Sequence, residues 1–402
     1  MIGKPLLAAL GAKPRFDVPI LIGQHYWPDW QRYELAARDI FARRFYTSQR
    51  FAGPLVVELQ HRIENFLGVK HAVAIRNATT GLMITTYTLG LSGKVIVPSW
   101  THISTIQALL WAKCSPTFCD IEPTSQQLSL SSLRSRLEER DVAAILGVHL
   151  WGSALPVAEL EELANEYSVA LYYDAAHAFG CKVGERSIGS FGRAETFSFH
   201  TANVVSTGEG GCITTNDDAL AAKFIAMRGD EMAATGVALQ SATARMSELQ
   251  AAVGIMMLDD FEHHRRRNQD LHRHYQACLS GVAGIRILEP CGVTLSNFQS
   301  LTVVVDSSRF GLSRDQLLAV LRAENVLASK QFDPPAHLLK GPASGADDGE
   351  RLKNTNAAAL STLQLPLGAD VSSEDIEVIC EIIRQAHGCS ESIKMNPAHV
   401  AV

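Results

Sequence analysis

The sequence predicts an α/β protein: a large domain with a mostly parallel sheet between helices, then a smaller C-terminal α/β domain. Three observations predict it. From about residue 68, short β-rich runs alternate with amphipathic helical patterns, the order that βαβ units produce. Most of these runs are apolar at nearly every position, as strands buried on both faces of a sheet must be. The chain has 402 residues, 47% hydrophobic and 19% charged, which is enough for two domains with a sizeable core.

The elements follow in order. His71–Asn77 (HAVAIRN) reads as a strand and leads into a helical pattern over Thr80–Leu91. Lys94–Ser99 pairs in the same way with Ile103–Lys113, Ser115–Glu122 with Ser132–Arg140, and Val142–Gly152 with Val157–Tyr167. Val169–Ala176, Glu195–His200 and Gly210–Asp217 are further strands, and Asp218–Met227 is the last helix of the series. A long helical pattern then runs from Arg245 to Cys278, followed by a strand at 300–306 and helices at Asp315–Glu324 and Ser373–His387. This places an N-terminal arm and the large domain in residues 1–265 and the small domain in 266–402. Gly341–Glu350 reads as a polar loop, and the residues after Gly388 as a loosely held tail.

Composition narrows the function. A formal net charge of −6 offers no basic footprint, so no nucleic-acid partner is expected. No apolar stretch approaches the ~20 residues of a membrane span, and the run Pro5–Gly11 is too short for a secretion signal. The eight cysteines form no CxxC pair, which suggests reduced thiols and a cytoplasmic protein. The segment 262–275 (EHHRRRNQDLHRHY) reads as a solvated helix face without an open set of metal ligands.

A few residues stand out for their chemistry. Asn77-Ala78-Thr79-Thr80-Gly81 follows a strand and opens a helix, which makes either an ordinary Asn cap or a phosphate site on free backbone amides. Asp174 ends an apolar strand, where a carboxylate needs a cation, a binding role or a helix to cap. Pro98-Ser99-Trp100-Thr101-His102 follows another strand, with Trp100 read as core packing and His102 as a loop residue. Phe197–Gly211 (FSFHTANVVSTGEGG) ends in a glycine-rich turn.

Taken together and in this order, these segments resemble the nucleotide-sugar aminotransferases of the DegT/DnrJ/StrS group, which use pyridoxal 5′-phosphate (PLP). The resemblance runs from about Pro19 to Leu339 and includes DAAHA at 174–178 and RMSELQAA at 245–252. It implies a fold-type I PLP enzyme with active sites completed across a homodimer. It also implies that Ala78, Thr79 and Ser198 hold the cofactor phosphate, that His102 stacks on the ring, and that Asp174 pairs with the ring nitrogen. His177 then lies near the ring hydroxyl. Thr243 stands where the family has an asparagine reaching the neighbouring subunit's phosphate. Lys330 and His337 lie where relatives place substrate-facing residues, although as residues they read equally well as an ordinary loop pair.

Asn203 departs from the pattern. The family carries there the lysine that bonds PLP and shuttles the proton. Three readings stay open. Asn203 is a substitution in an aminotransferase that takes an amino group from glutamate or glutamine to a keto group of a nucleotide-linked or antibiotic sugar, leaving this chain inactive. Alternatively, the protein is a natural lysine-free enzyme of PLP or pyridoxamine 5′-phosphate (PMP), similar to sugar dehydratases. Or it is a non-catalytic partner subunit.

Overall fold

The computed structural model describes residues 7–47, 52–229, 242–339 and 351–395. All seven strand runs expected between residues 71 and 217 enter one sheet. In chain order they are β1 (His71–Ile75), β2 (Lys94–Pro98), β3 (Ser115–Cys119), β4 (Val142–Val148) and β5 (Ala170–Asp174), then, past a small hairpin of β6 (Lys182–Val183) and β7 (Arg186–Ser187), β8 (Glu195–Ser198) and β9 (Gly211–Thr215). Their spatial order is β1-β9-β8-β5-β4-β2-β3. Pairings among β3, β2, β4, β5 and β8 are parallel, and β9 runs antiparallel between β8 and β1. Six strands therefore point one way, and the residues that follow β1, β2, β5 and β8 emerge along one edge. In sheets of this kind, that edge is where ligands bind.

The helices pack close to this edge. Ala78–Thr88 is buried nearly all round, because it presses directly on the sheet. A Cβ at its Gly81 would come within 2.3 Å of Ile75 Cδ1 and 2.7 Å of Thr196 Cγ2, so only glycine permits this approach. Gly211, at the start of β9, is equally confined, with a Cβ there 2.4 Å from the Phe197 carbonyl oxygen and 3.2 Å from the Ala78 amide. Gly211→Ala is expected to lower the unfolding free energy by about 1–3 kcal/mol through overpacking, measured as a shift of the urea midpoint at constant m-value.

The second sheet is antiparallel, with order β10-β11-β13-β12 from β10 (Ile285–Ile287), β11 (Leu301–Val305), β12 (Ser329–Lys330) and β13 (Thr362–Leu365). Helices Arg314–Ala323 and Ser373–Gly388 add Leu317, Leu321, Ile376, Ile379 and Ile383 to its core, with Val303 and Leu363 from the strands. Leu7 and Ala9 from the N-terminal arm are buried in the same cluster. The arm is held there by Glu324, whose carboxylate accepts the amides of Ala8 and Arg15 at 2.7 Å each.

Three expectations need correction. The long helical pattern is two helices, Glu248–Asp259 and Phe261–Leu279, meeting at Asp260, whose carboxylate takes Arg32 at 2.7 Å. The basic helix is more than a solvated face, since His264, Arg265, Asn268, Leu271, His272 and Tyr275 are buried along one side of it. Polar side chains at helical spacing hid that stripe from a hydropathy reading. The segment after Gly388 is not wholly loose either, as Ser390–Lys394 is helical with Ile393 buried. The polar loop 341–350 lies outside the described residues. All eight cysteines are free thiols. Among the described residues no helix is long and apolar enough to cross a membrane, and no cluster of side chains could hold a metal ion.

Candidate active site

A cavity of about 490 Å³ opens at the strand edge. It gathers seven of the residues singled out in the sequence: Ala78, Thr79, His102, Asp174, His177, Ser198 and Asn203. Each lies at or just past the end of one of the six strands that point the same way, which is why residues 125 positions apart in the chain share one wall.

At one side lies the helix Ala78–Thr88. Asn77 caps it, its Oδ1 accepting the Thr80 amide at 2.9 Å and the Thr80 hydroxyl at 2.8 Å. No acceptor among the described residues takes the amides of Ala78 and Thr79. These free donors and the positive helix end suit an anion.

Asp174, 5% exposed, ends β5. Its Oδ2 accepts the Thr105 hydroxyl at 2.7 Å and its Oδ1 the Ala176 amide at 3.1 Å. Burial raises its pKa above the ordinary carboxyl value; the two hydrogen bonds and nearby His102 only partly oppose this. Among the described residues no lysine or arginine pairs with it. An unpaired buried carboxyl calls for a cationic ligand.

His177 follows at the next turn. Burial pushes its pKa down to about 4, so its ring is neutral at physiological pH. Its buried Nδ1 has no hydrogen-bond partner among the described residues, and such an atom needs a ligand or water. His102 caps the helix Ile103–Trp111, its Nδ1 2.9 Å from Ser104 Oγ, and its exposed ring borders the cavity.

Asn203, 6% exposed, lies beyond β8. Its Nδ2 donates to the Ser198 carbonyl at 2.9 Å, and its Oδ1 accepts Gln299 Nε2 at 3.0 Å. The wall is completed from the second sheet and the arm by Gln24, Gln299, Ser300, Gln331 and Gln364.

The donor set fits PLP. Free helix amides suit its phosphate, a buried carboxyl suits a protonated ring nitrogen, and the unpartnered Nδ1 of His177 suits a ring substituent.

Three of the named residues are not among those lining this cavity. Thr243 is exposed outside the cavity. Lys330 and His337, expected to meet substrate, do not line it. The Lys330 ammonium is drawn to Asp333 at 3.3 Å and Asp315 at 3.9 Å. His337 is buried, with its Nδ1 2.7 Å from Ser99 Oγ. Gln331, next to Lys330, lines the cavity instead. Trp100 is core, as expected, edge-on to Trp151 and Phe332. Sequence reasoning missed Thr105, Gln24, Gln299, Gln331 and Gln364. A threonine one turn into an apolar helix and scattered glutamines carry no local signal.

Residues 40–384 match the model of the DegT/DnrJ/EryC1/StrS aminotransferase family. The dTDP-4-amino-4,6-dideoxy-D-glucose transaminase of Shigella dysenteriae is 28% identical over 378 residues, covering 92% of this chain and 99% of its own. GDP-perosamine synthase of Caulobacter vibrioides is 31% identical over 340 residues, 83% and 90% of the two chains. Among solved structures, DesI in the presence of its TDP-sugar product is 33% identical, with a TM-score of 0.89 over 98% of each chain. The family match over most of the chain and the whole-chain likeness to DesI agree with the donor set: this protein belongs to the DegT/DnrJ/EryC1/StrS aminotransferase family, whose members depend on PLP or PMP.

Proposed function

We propose that this chain holds PLP or PMP in the cavity without a covalent bond. Its scaffold is that of an enzyme moving an amino group from glutamate or glutamine to a keto group of a nucleotide-linked or related sugar. Relatives named as nucleotide-sugar transaminases support the substrate class. Asn203 is the observation that carries the rest. It lines the cavity where the family resemblance places the lysine, and it offers a carboxamide whose two ends are already hydrogen-bonded.

The other residues keep their roles. Ala78 and Thr79 offer backbone amides, and Ser198 its hydroxyl, to the phosphate. Asp174 holds the ring nitrogen protonated, His102 stacks on the ring, and His177 meets the ring hydroxyl. When bound, the cofactor supplies an electron sink for breaking the bond to the α-proton. A carboxamide cannot take up that proton at neutral pH, so the chain as it stands turns over several orders of magnitude more slowly than a lysine-bearing one. In a cytoplasmic homodimer, Thr243 would serve the phosphate of the second site.

One observation favours a second reading, a natural lysine-free PLP or PMP enzyme: the neutral His177 ring with its unpartnered Nδ1 offers a proton acceptor on the cavity wall. A titration with PLP tests what both readings share. Saturable binding that dialysis reverses is expected, and after borohydride the peptide carrying residues 197–211 should show no cofactor mass. Absence of any saturable binding overturns both readings in favour of a partner subunit.

A further inference from the structure

Asn203 belongs to a connected set of buried amides whose orientation follows from backbone groups alone. A backbone carbonyl can only accept and an amide N–H can only donate. Gln299 Oε1 accepts the Val204 amide at 3.2 Å, and its Nε2 donates to the Ala202 carbonyl at 3.0 Å. Those two contacts determine which end of Gln299 is which. Its Nε2 therefore also faces Asn203, at 3.0 Å, and the facing atom of Asn203 must be Oδ1. The other end, Nδ2, must then donate, and it does so to the Ser198 carbonyl at 2.9 Å. Reversing the Asn203 amide would set two donors against each other at Gln299 and two acceptors against each other at Ser198.

The set extends away from the cavity. Gln24 donates to the Gln299 backbone carbonyl. Asn268 donates to Gln24 Oε1 at 2.6 Å, and Tyr26 donates to Asn268 Oδ1 at 2.8 Å. Gln24 and Tyr26 come from the arm, Asn268 from the helix Phe261–Leu279, and Gln299 from the loop before β11. All five side chains, Gln24, Tyr26, Asn203, Asn268 and Gln299, are buried. Three separated parts of the chain thus converge on the conformation of one side chain. An amine at position 203 could not accept from Gln299, so the surroundings complement a carboxamide.

Nδ2 of Asn203 carries two hydrogens, and only one is taken by Ser198. The second has no acceptor among the described residues, on a side chain that lines the cavity. We infer that Gln299 is a positioning residue for the cofactor site, locking the Asn203 carboxamide so that it presents a neutral hydrogen-bond donor to the bound cofactor. This rests on the proposed binding of PLP or PMP in the cavity.

The test is PMP titration of the full-length protein, followed by fluorescence at mildly acidic and mildly alkaline pH, with wild type, Gln299→Glu and Asn203→Ala side by side. Gln299→Glu keeps an oxygen for Val204 but turns an acceptor toward Asn203 Oδ1 once ionised. Its dissociation constant should exceed that of wild type by about tenfold at alkaline pH, as for the loss of one well-placed hydrogen bond. The ratio should shrink at acidic pH, where the introduced carboxyl regains a proton to donate. Asn203→Ala removes the oxygen that accepts from Gln299 together with the donor offered to the cofactor, and should show a similar loss with a ratio independent of pH. A merely structural Gln299 would lower the thermal midpoint without that pH-dependent ratio. If wild type binds and both variants bind within twofold of it at either pH, the inference fails while the proposed function stands. If wild type itself binds no PMP, both fall.

Discussion

Replacing Asn203 by lysine is expected to give a protein that turns yellow with PLP, fixes the cofactor covalently under borohydride and transfers amino groups from glutamate. The gain should be about 10³-fold or more, because one side chain then supplies both the nucleophile and the proton carrier. There is an opposing effect. Lysine cannot accept from Gln299 Nε2, so a buried donor loses a partner, a cost of about 1–3 kcal/mol. Asn203→Lys should therefore melt below wild type without cofactor. Absorbance with and without borohydride, and product formation from a keto-sugar nucleotide, measure the first effect, and a thermal scan of the apo forms measures the second. A folded Asn203→Lys protein that stays colourless and inert toward amino donors would return the chain to the partner-subunit reading.

The second large effect concerns Asp174. Asp174→Ala should abolish or strongly weaken cofactor retention. The buried carboxyl has two neutral donors, Thr105 and Ala176, and no cation among the described residues. On the proposed function it is the partner of the protonated ring nitrogen. Losing a charge-assisted hydrogen bond of this kind costs about 1.5–3 kcal/mol, or roughly 10- to 150-fold in the dissociation constant. Asp174→Asn separates charge from shape, since it keeps an acceptor for Thr105 or Ala176 and should still bind weakly. Without ligand, the sign of the pH effect on stability reverses the usual carboxylate case. Burial raises the folded pKa of Asp174, so its contribution to apo stability is present at low pH and lost as pH rises through that raised value. Asp174→Asn should flatten this part of the apo stability profile. Unchanged PLP affinity in both variants would reduce Asp174 to holding the Ala176 turn and the Thr105 hydroxyl.

Much of the molecule was legible in its sequence for local reasons. The strands of the main sheet are short and apolar on both faces, so their positions show as interruptions in a helical pattern, and each was found within a few residues. Asn77, Asp174 and Ser198 sit at or just past strand ends, and Asp174 directly after an apolar run is visible without any knowledge of partners. His177 and Asn203 lie a few residues past those ends. Once these strands point the same way in one sheet, their ends share an edge, and the cavity gathers the side chains just beyond them.

The features that stayed hidden were hidden for physical reasons as well. Gln299 lies 96 positions from Asn203 and 275 from Gln24, and no spacing rule links residues across such distances. The buried side of Phe261–Leu279 is partly polar, so a hydropathy pattern treats it as solvated, although Asn268 is fully buried and hydrogen-bonded to Tyr26 and Gln24. Lys330 and His337 looked available because sequence shows a charge or an imidazole but not the carboxylates of Asp315 and Asp333 or the hydroxyl of Ser99 that occupy them. By itself the sequence determined the alternation of strands and helices, the capped turns at their ends and the absence of an amine at position 203. Tertiary structure alone decided which side chains close around the cavity and which way the Asn203 amide points, because hydrogen-bond direction is set by partners that only folding brings together.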